Sequence, residues 1–236
     1  MIEAVVFDWG GTLSVYADVD IEDMWRLAAR RLAPDQEDEL CARLVHVEAE
    51  AWARVAVDQH SYTLAQLLAE ASEAVGLDIA AAVLAEASRC HLDAWTPHIV
   101  HDPDAAGVLD ALVGRGLRIG LLSNTHWPRD FHEHFLARDG LDKLIDARLY
   151  TSELPKTKPH ASAFGAALDA LGVTDPARAV FVGDRPYDDV YGAKQAGLRG
   201  VLRRNPVMPD FDVEPDGIID SLPQLLPLID RWANSS

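Results

Sequence analysis

Six short runs rich in β-branched and aliphatic residues recur along this chain, each bounded by turn formers. They are AVVFD at 4–8, LRIGLLSN at 117–124, IDARLYTS at 145–152, AVFVGD at 179–184, GVLRRN at 200–205 and GIID at 217–220. Each reads as a strand. Helical patterns stand between them: DAAGVLDALVGRG after Asp102-Pro103, HASAFGAALDALGV opened by Lys158-Pro159, and DVYGAKQAG closing on Gly197. Strand and helix in alternation predict an α/β fold, a Rossmann-like parallel sheet with helices on both faces.

One stretch breaks that rhythm. Residues 18–96 hold no strand-like run and are rich in Ala, Leu, Glu and Arg at helical spacing, which predicts four helices at roughly 20–33, 36–58, 63–75 and 79–94. The expected organisation is a core of 1–16 and 97–236 interrupted by an inserted α-helical cap at 17–96. An insert entering just after the first strand would sit above the carboxyl ends of the strands, where open parallel sheets bind ligands.

The chain's 236 residues suffice for such a core and insert, and 49% hydrophobic with 25% charged residues is ordinary for a folded domain. A net charge of −17 opposes phosphate backbones and anionic lipids, so neither nucleic acid nor membrane is an expected partner. The same charge opposes small anions, so a phosphate site must be built from local donors and a cation. Cys41 and Cys90 are too few for a disulfide framework and read as packing residues. The first residues run straight into EAVVFD without a basic leader, and no stretch approaches about 20 apolar residues, so a cytoplasmic monomer or homodimer is expected.

The polar residues fall where chemistry would need them. Asp8 closes the first run, Ser123 and Asn124 the second, Asp184 the fourth, and Lys158 follows the third. Parallel neighbours point their carboxyl ends the same way, which predicts convergence of these groups on one crevice. Lys158 is one of only four lysines, with Lys143, Lys156 and Lys194; Lys156 reads as an ordinary solvated lysine.

In these motifs the chain resembles the haloacid dehalogenase superfamily of phosphatases and related hydrolases. The family's Asp-x-Asp-x-Thr stands here as Asp8-Trp9-Gly10-Gly11-Thr12, its strand-end Ser or Thr as Ser123 in LLSNT, and its Ser-Glu-x-x-x-x-Lys-Pro as Ser152 to Pro159. Its Gly-Asp motif with a further Asp stands as VGDRPYDDVYGAKQAG, giving Asp184 and Asp189. The resemblance implies Asp8 as a nucleophile forming an acyl phosphate, which splits one hard displacement into two easier steps. It implies Ser123, Asn124, Lys158 and the Trp9–Gly11 loop as phosphate ligands of a small phosphorylated substrate. It implies Mg²⁺ held by the carboxylates of Asp8 and Asp184 and the Gly10 carbonyl, with Asp189 beside them. Several acids in one site are costly without a cation, and Mg²⁺ suits hard oxygen ligands. Asp188 reads as a solvent-facing or helix-start residue.

Gly10 departs from the pattern. Family phosphatases carry there an Asp that protonates the leaving oxygen and then activates water, an effect worth roughly 10² to 10⁴ in rate. Glycine keeps the carbonyl ligand and loses that acid. The enzyme is then slow, uses another proton donor, or prefers leaving groups that need no proton. His46, His60, His98, His101, His126 and His160 are candidate donors by type, and no spacing ties one of them to Asp8. Trp9 should lie near the substrate, whereas Trp25 and Trp52 read as packing residues of the helical module. Phosphonoacetaldehyde hydrolases resemble the chain at the first motif, but their chemistry needs a cap lysine and residues 17–96 contain none. The alternatives left are a metal-independent 2-haloacid dehalogenase and a phosphate- and Mg²⁺-binding protein impaired in turnover.

Overall fold

The computed structural model describes residues 1–233. Strands β1 (Ala4–Phe7), β2 (Arg118–Ser123), β3 (Ala147–Tyr150), β4 (Ala179–Gly183), β5 (Arg199–Arg203) and β6 (Gly217–Ile219) form one sheet in the order β3-β2-β1-β4-β5-β6. All five neighbouring pairs are parallel, so every carboxyl end lies along one edge.

The two-residue period of a strand divides its side chains between two cores. Val5 and Phe7 pack on one face with Leu109 of α5 (Ala105–Val113), Phe135 of α6 (Arg129–Arg138) and Ile229 near the chain's end. Ala4 and Val6 pack on the other face with Phe164, Ala167 and Leu171 of α7 (Ala161–Leu171). Burying such a side chain contributes about 1.5–3 kcal/mol, which is why near-continuous apolar runs suit a sheet covered on both faces.

Between β1 and β2 the insert holds helices α1 (Ile21–Leu32), α2 (Glu37–Asp58), α3 (Leu64–Ala74) and α4 (Ala81–Trp95). Ile21 of the first, Glu48 and Trp52 of the second and Trp95 of the fourth reach the cavity at the sheet's carboxyl edge. Asp20 caps the first helix through Glu22 N at 2.9 Å, and Thr63 with Gln66 forms a capping box on the third. Trp25, Leu40, Leu44, Leu67 and Leu68 give the insert its own buried core.

Two runs differ from their expected form. IDARLYTS stops being a strand at Tyr150, because Thr151–Glu153 make a 3₁₀ turn in which Thr151 Oγ1 accepts from Thr125 N at 2.9 Å. DVYGAKQAG begins inside a π-helical stretch, Pro186–Tyr191, before a short α-helical turn at Gly192–Gln195.

Backbone pairs fasten the insert to the sheet. Val15 N donates to Val100 O at 2.8 Å and Asp102 N to Leu13 O at 2.9 Å, joining its two connecting segments. Leu64 N donates to His126 O at 2.8 Å, joining the start of the third insert helix to the segment after β2, and Thr157 N donates to Gln59 O at 3.0 Å, joining the loop before that helix to the segment just before Lys158. No helix among the described residues is long and apolar enough to cross a membrane.

His91 lies wholly inside the insert, stacked on Trp25 at 3.7 Å with Nδ1 3.1 Å from Met24 O. Burial pushes its imidazole down to about 3. A histidine held neutral when folded takes a proton only on unfolding, so stability falls as pH drops from about 6.5 towards 3. At pH 5 this amounts to about 2 kcal/mol. Thermal melts of His91→Phe should lose about that much of the acid sensitivity; an unchanged slope between pH 6.5 and 5 would remove the explanation.

Candidate active site

Register brings the strand-end residues together. Phe7 pairs with Leu121 on β2 and with Val182 on β4, and Asp8 N donates to Val182 O at 2.9 Å. Asp8 thus stands between the ends carrying Ser123 and Asp184, at the floor of a cavity of about 270 Å³. Ser123, Asn124, Lys158, Trp9, Gly10 and Gly11 line that cavity too. Asp184 and Asp189 lie beneath its floor, each almost wholly buried.

Lys158 is 1% exposed and bridges two carboxylates, with Nζ 2.6 Å from Asp8 Oδ1 and 2.7 Å from Asp189 Oδ1. Burial works against its ammonium, but Asp189 and Asp8 outweigh that and push its pKa up. Asp189 Oδ2 accepts from Arg185 N at 2.9 Å, and Asp184 Oδ2 from Asn205 Nδ2 at 2.6 Å. Oxygens of Asp8, Asp184 and Asp189 lie within 4.8 Å of one another.

Lys158 offsets two of these three acids, and the electrostatics reflect it. Burial raises the Asp8 carboxyl and Asp189 adds to this, while Lys158 pulls it back. Burial, then Asp8 and Asp189, pushes Asp184 up to about 7. Asp184 Oδ1 is buried without a hydrogen-bond partner. Like charges this close call for a positive ion among them.

The loop after Asp8 is shaped by its glycines. Gly11 has φ +77°, and a Cβ there would fall 2.1 Å from Asp184 Oδ2. Only glycine lets the backbone pass so close to that carboxylate. Gly10 is exposed, and a Cβ there would meet nothing within 4 Å, so its lack of a side chain answers no steric need. Trp9 turns its ring into the wall, where Nε1 donates to His101 Nε2 at 3.0 Å and His101 Nδ1 sits 2.6 Å from Asp139 Oδ2.

Asn124 does something the sequence did not suggest. Its Nδ2 donates to Lys158 O and its Oδ1 accepts from Lys158 N, both at 2.9 Å. It clamps the lysine's backbone as well as lining the cavity. Trp52 lines the cavity rather than only packing the module, whereas Trp25 is buried in the insert's core. Of the candidate histidines, His98 and His126 line the cavity; His101 holds Trp9, His160 caps α7, His46 pairs with Glu50, and His60 lies beside Lys156. Lys156 is not simply solvated, because Nζ donates to Asp58 O at 2.8 Å. Asp188 stands in the first turn of the π-helical stretch, 3.8 Å from Arg185.

Sequence reasoning missed Asn205, Arg185, Trp95, Trp127, His132 and Glu48, all in or against this site. Asn205 carried a legible signal, as the polar residue just past the fifth strand. Glu48 carried another: with Leu40, Leu44, Val47, Ala51 and Val55 it falls on the buried stripe of the second insert helix.

A parallel α/β sheet with a buried lysine–carboxylate cluster at its carboxyl edge and a helical insert above it defines a hydrolase scaffold. The chain belongs to the haloacid dehalogenase-like hydrolases, whose family model matches residues 2–197. It is 31% identical over 133 residues to the glyceraldehyde 3-phosphate phosphatase of Pyrococcus furiosus, covering 55% of this chain and 54% of that protein. It is 36% identical over 115 residues to the phosphoserine phosphatase of Thermus thermophilus, covering 48% and 45%. The chain thus spans about half the length of the curated relatives it matches. Among solved structures, the 2-haloacid dehalogenase of Pseudomonas syringae pv. Tomato DC3000 superposes with a TM-score of 0.74 at 26% identity, over 98% of this chain and 100% of that one.

Removing Lys158 would leave Asp8 and Asp189 buried and unpaired, which costs about 3–5 kcal/mol. Urea unfolding of Lys158→Ala should show a loss of that size. A loss under about 1 kcal/mol would mean the cluster is not held by this lysine.

Proposed function

We propose that this chain is a Mg²⁺-dependent phosphohydrolase that hydrolyses a small phosphorylated metabolite through a phosphoryl group carried on Asp8. The observation that carries this reading is Lys158 Nζ 2.6 Å from Asp8 Oδ1 at the floor of the cavity, with Asp184 and Asp189 beside it. The phosphatase names of the relatives from Pyrococcus and Thermus support it.

Asp8 attacks phosphorus with the oxygen that Lys158 orients, and the lysine offsets negative charge on the incoming phosphoryl oxygens. Ser123 Oγ and the backbone N–H groups of Trp9 to Gly11 supply further donors to those oxygens. Asn124 holds Lys158 in place through its backbone. Asp8, Asp184 and the Gly10 carbonyl would hold Mg²⁺, with Asp189 next to them; the unpartnered Asp184 Oδ1 and the shortage of positive charge fit such an ion. When bound, the ion neutralises the acids and draws charge from the phosphoryl group. Residues 17–96 act as a cap whose closure excludes water from the cavity.

The resemblance to a haloacid dehalogenase, together with the missing acid at Gly10, favours one second reading: displacement of halide by Asp8 without metal. Against it stands the carboxylate cluster, which a metal-independent enzyme has no reason to keep. A protein that binds phosphate and Mg²⁺ without turnover would have no need of a nucleophile held by Lys158.

Phosphate release from p-nitrophenyl phosphate tests the proposal. Wild-type chain with Mg²⁺ should turn over, Asp8→Asn should lose at least ~10³-fold, and chelation of Mg²⁺ should abolish the rate. Activity surviving in Asp8→Asn, or chloride release from 2-chloropropionate without metal, would contradict it.

A further inference from the structure

Gly10 leaves this site without the acid that would protonate a leaving oxygen, yet a buried carboxyl stands on the insert's side of the same cavity. Glu48, on the helix Glu37–Asp58, is 8% exposed and lines the cavity together with Asp8, Ser123 and Lys158. Trp25 Nε1 donates to its Oε2 at 2.7 Å. Its Oε1 faces His126 Nε2 at 3.6 Å, beyond hydrogen-bond length. Among the described residues no lysine or arginine forms an ion pair with it.

His126 enters from the sheet side, three residues past Ser123, and is 5% exposed. Both its ring nitrogens are buried without a hydrogen-bond partner. Such orphaned polar groups carry a cost that a bound partner relieves. Glu48 and His126 come from opposite sides of the insert–sheet boundary, so this pair exists only while the insert covers the sheet.

Burial pushes the Glu48 carboxyl up, against the pull of the Trp25 and Trp52 N–H groups, and pushes the His126 imidazole well down. Tyr62, stacked on His126 at 5.6 Å, and His91 and His132, whose rings burial holds near 3 and 4, add no positive charge. Arg185 shares the cavity lining. A carboxyl on this wall, with no lysine or arginine paired to it among the described residues, can exchange a proton with a group bound in the cavity.

We propose that Glu48 performs the proton transfers that Gly10 cannot. This rests on the phosphohydrolase reading and sharpens it: the substrates are alkyl phosphate esters, whose alkoxide must be protonated to leave. In-line displacement places the leaving oxygen opposite Asp8, towards the cavity and its insert wall. As the Asp8 oxygen bonds to phosphorus, the bond from phosphorus to the leaving oxygen breaks. Its electron pair stays on that oxygen, which takes the proton from Glu48 Oε1. Water then attacks the phosphorus, its proton passes to the Glu48 carboxylate, and the bond to Asp8 breaks with its electron pair returning to the carboxylate. Both residues end as they began.

First-turnover rates of the full chain with Mg²⁺, measured by rapid quench, test this on two substrate types. One is p-nitrophenyl phosphate, whose phenolate leaves without a proton; the other is the fastest alkyl phosphate from a panel of phosphorylated alcohols and sugars. Glu48→Gln should slow the alkyl first turnover by at least ~100-fold and the aryl one by less than ~5-fold, with phosphoenzyme accumulating from the aryl substrate. Because a side chain at Gly10 meets open space, Gly10→Asp added to Glu48→Gln should restore alkyl turnover at least tenfold. Equal losses on both substrates, no loss on the alkyl ester, or a wild-type chain that transfers phosphoryl only from aryl phosphate would each overturn the assignment. A wild-type chain inert towards p-nitrophenyl phosphate would remove the phosphohydrolase reading itself.

Discussion

The interaction on which this structure's chemistry depends is the buried contact of Lys158 with Asp8 and Asp189, at 2.6 and 2.7 Å. Desolvating three ions is unfavourable, and mutual attraction offsets it only with this quality of geometry. Asp184 adds a further acid without a further lysine, so the pocket is short of positive charge even in its resting form. In the proposed function that shortage is what a bound cation would relieve. The rest of the molecule serves to hold that arrangement against its own repulsion.

The sheet does this through register. Because β1 lies between β2 and β4 with matched ends, Asp8, Ser123 and Asp184 cannot be moved independently. Gly11 lets the loop pass against Asp184, and Asn124 fixes the Lys158 backbone from the neighbouring strand end. The insert then closes the cavity from above with Trp52, Trp95 and Glu48, fastened by the backbone bonds at Val15–Val100 and Gln59–Thr157. The bonds near Thr157 lie one residue from Lys158, so insert placement and lysine placement are mechanically close.

Much of this was legible because strands announce themselves by composition and end on the residues they present. Asp8, Ser123, Lys158 and Asp184 each stand at or just after such a run, and the parallel topology that alternation implies gathers them. What escaped was whatever depends on packing between segments distant in sequence. Asn124 reads as a phosphate ligand until the chain returns at Lys158 to occupy its amide. Trp52 and Glu48 read as members of an amphipathic helix, and only the seating of the insert turns them towards the cavity. Glu48 broke the local rule by placing an acid on an apolar stripe, the kind of conflict between local and global preference that accompanies function. His126 could not be told from five other histidines, since its burial follows from Tyr62 and the insert.

The most direct measurement follows the oxygen. A phosphoryl group on Asp8 is released by water attacking phosphorus, whereas an ester formed by displacement at carbon is released by water attacking the Asp8 carboxyl carbon. After many turnovers in ¹⁸O-labelled water, mass spectrometry of the peptide containing Asp8 and of the released product separates the two. The account predicts label in inorganic phosphate and an Asp8 peptide of unchanged mass. Label in the Asp8 carboxyl group would contradict it.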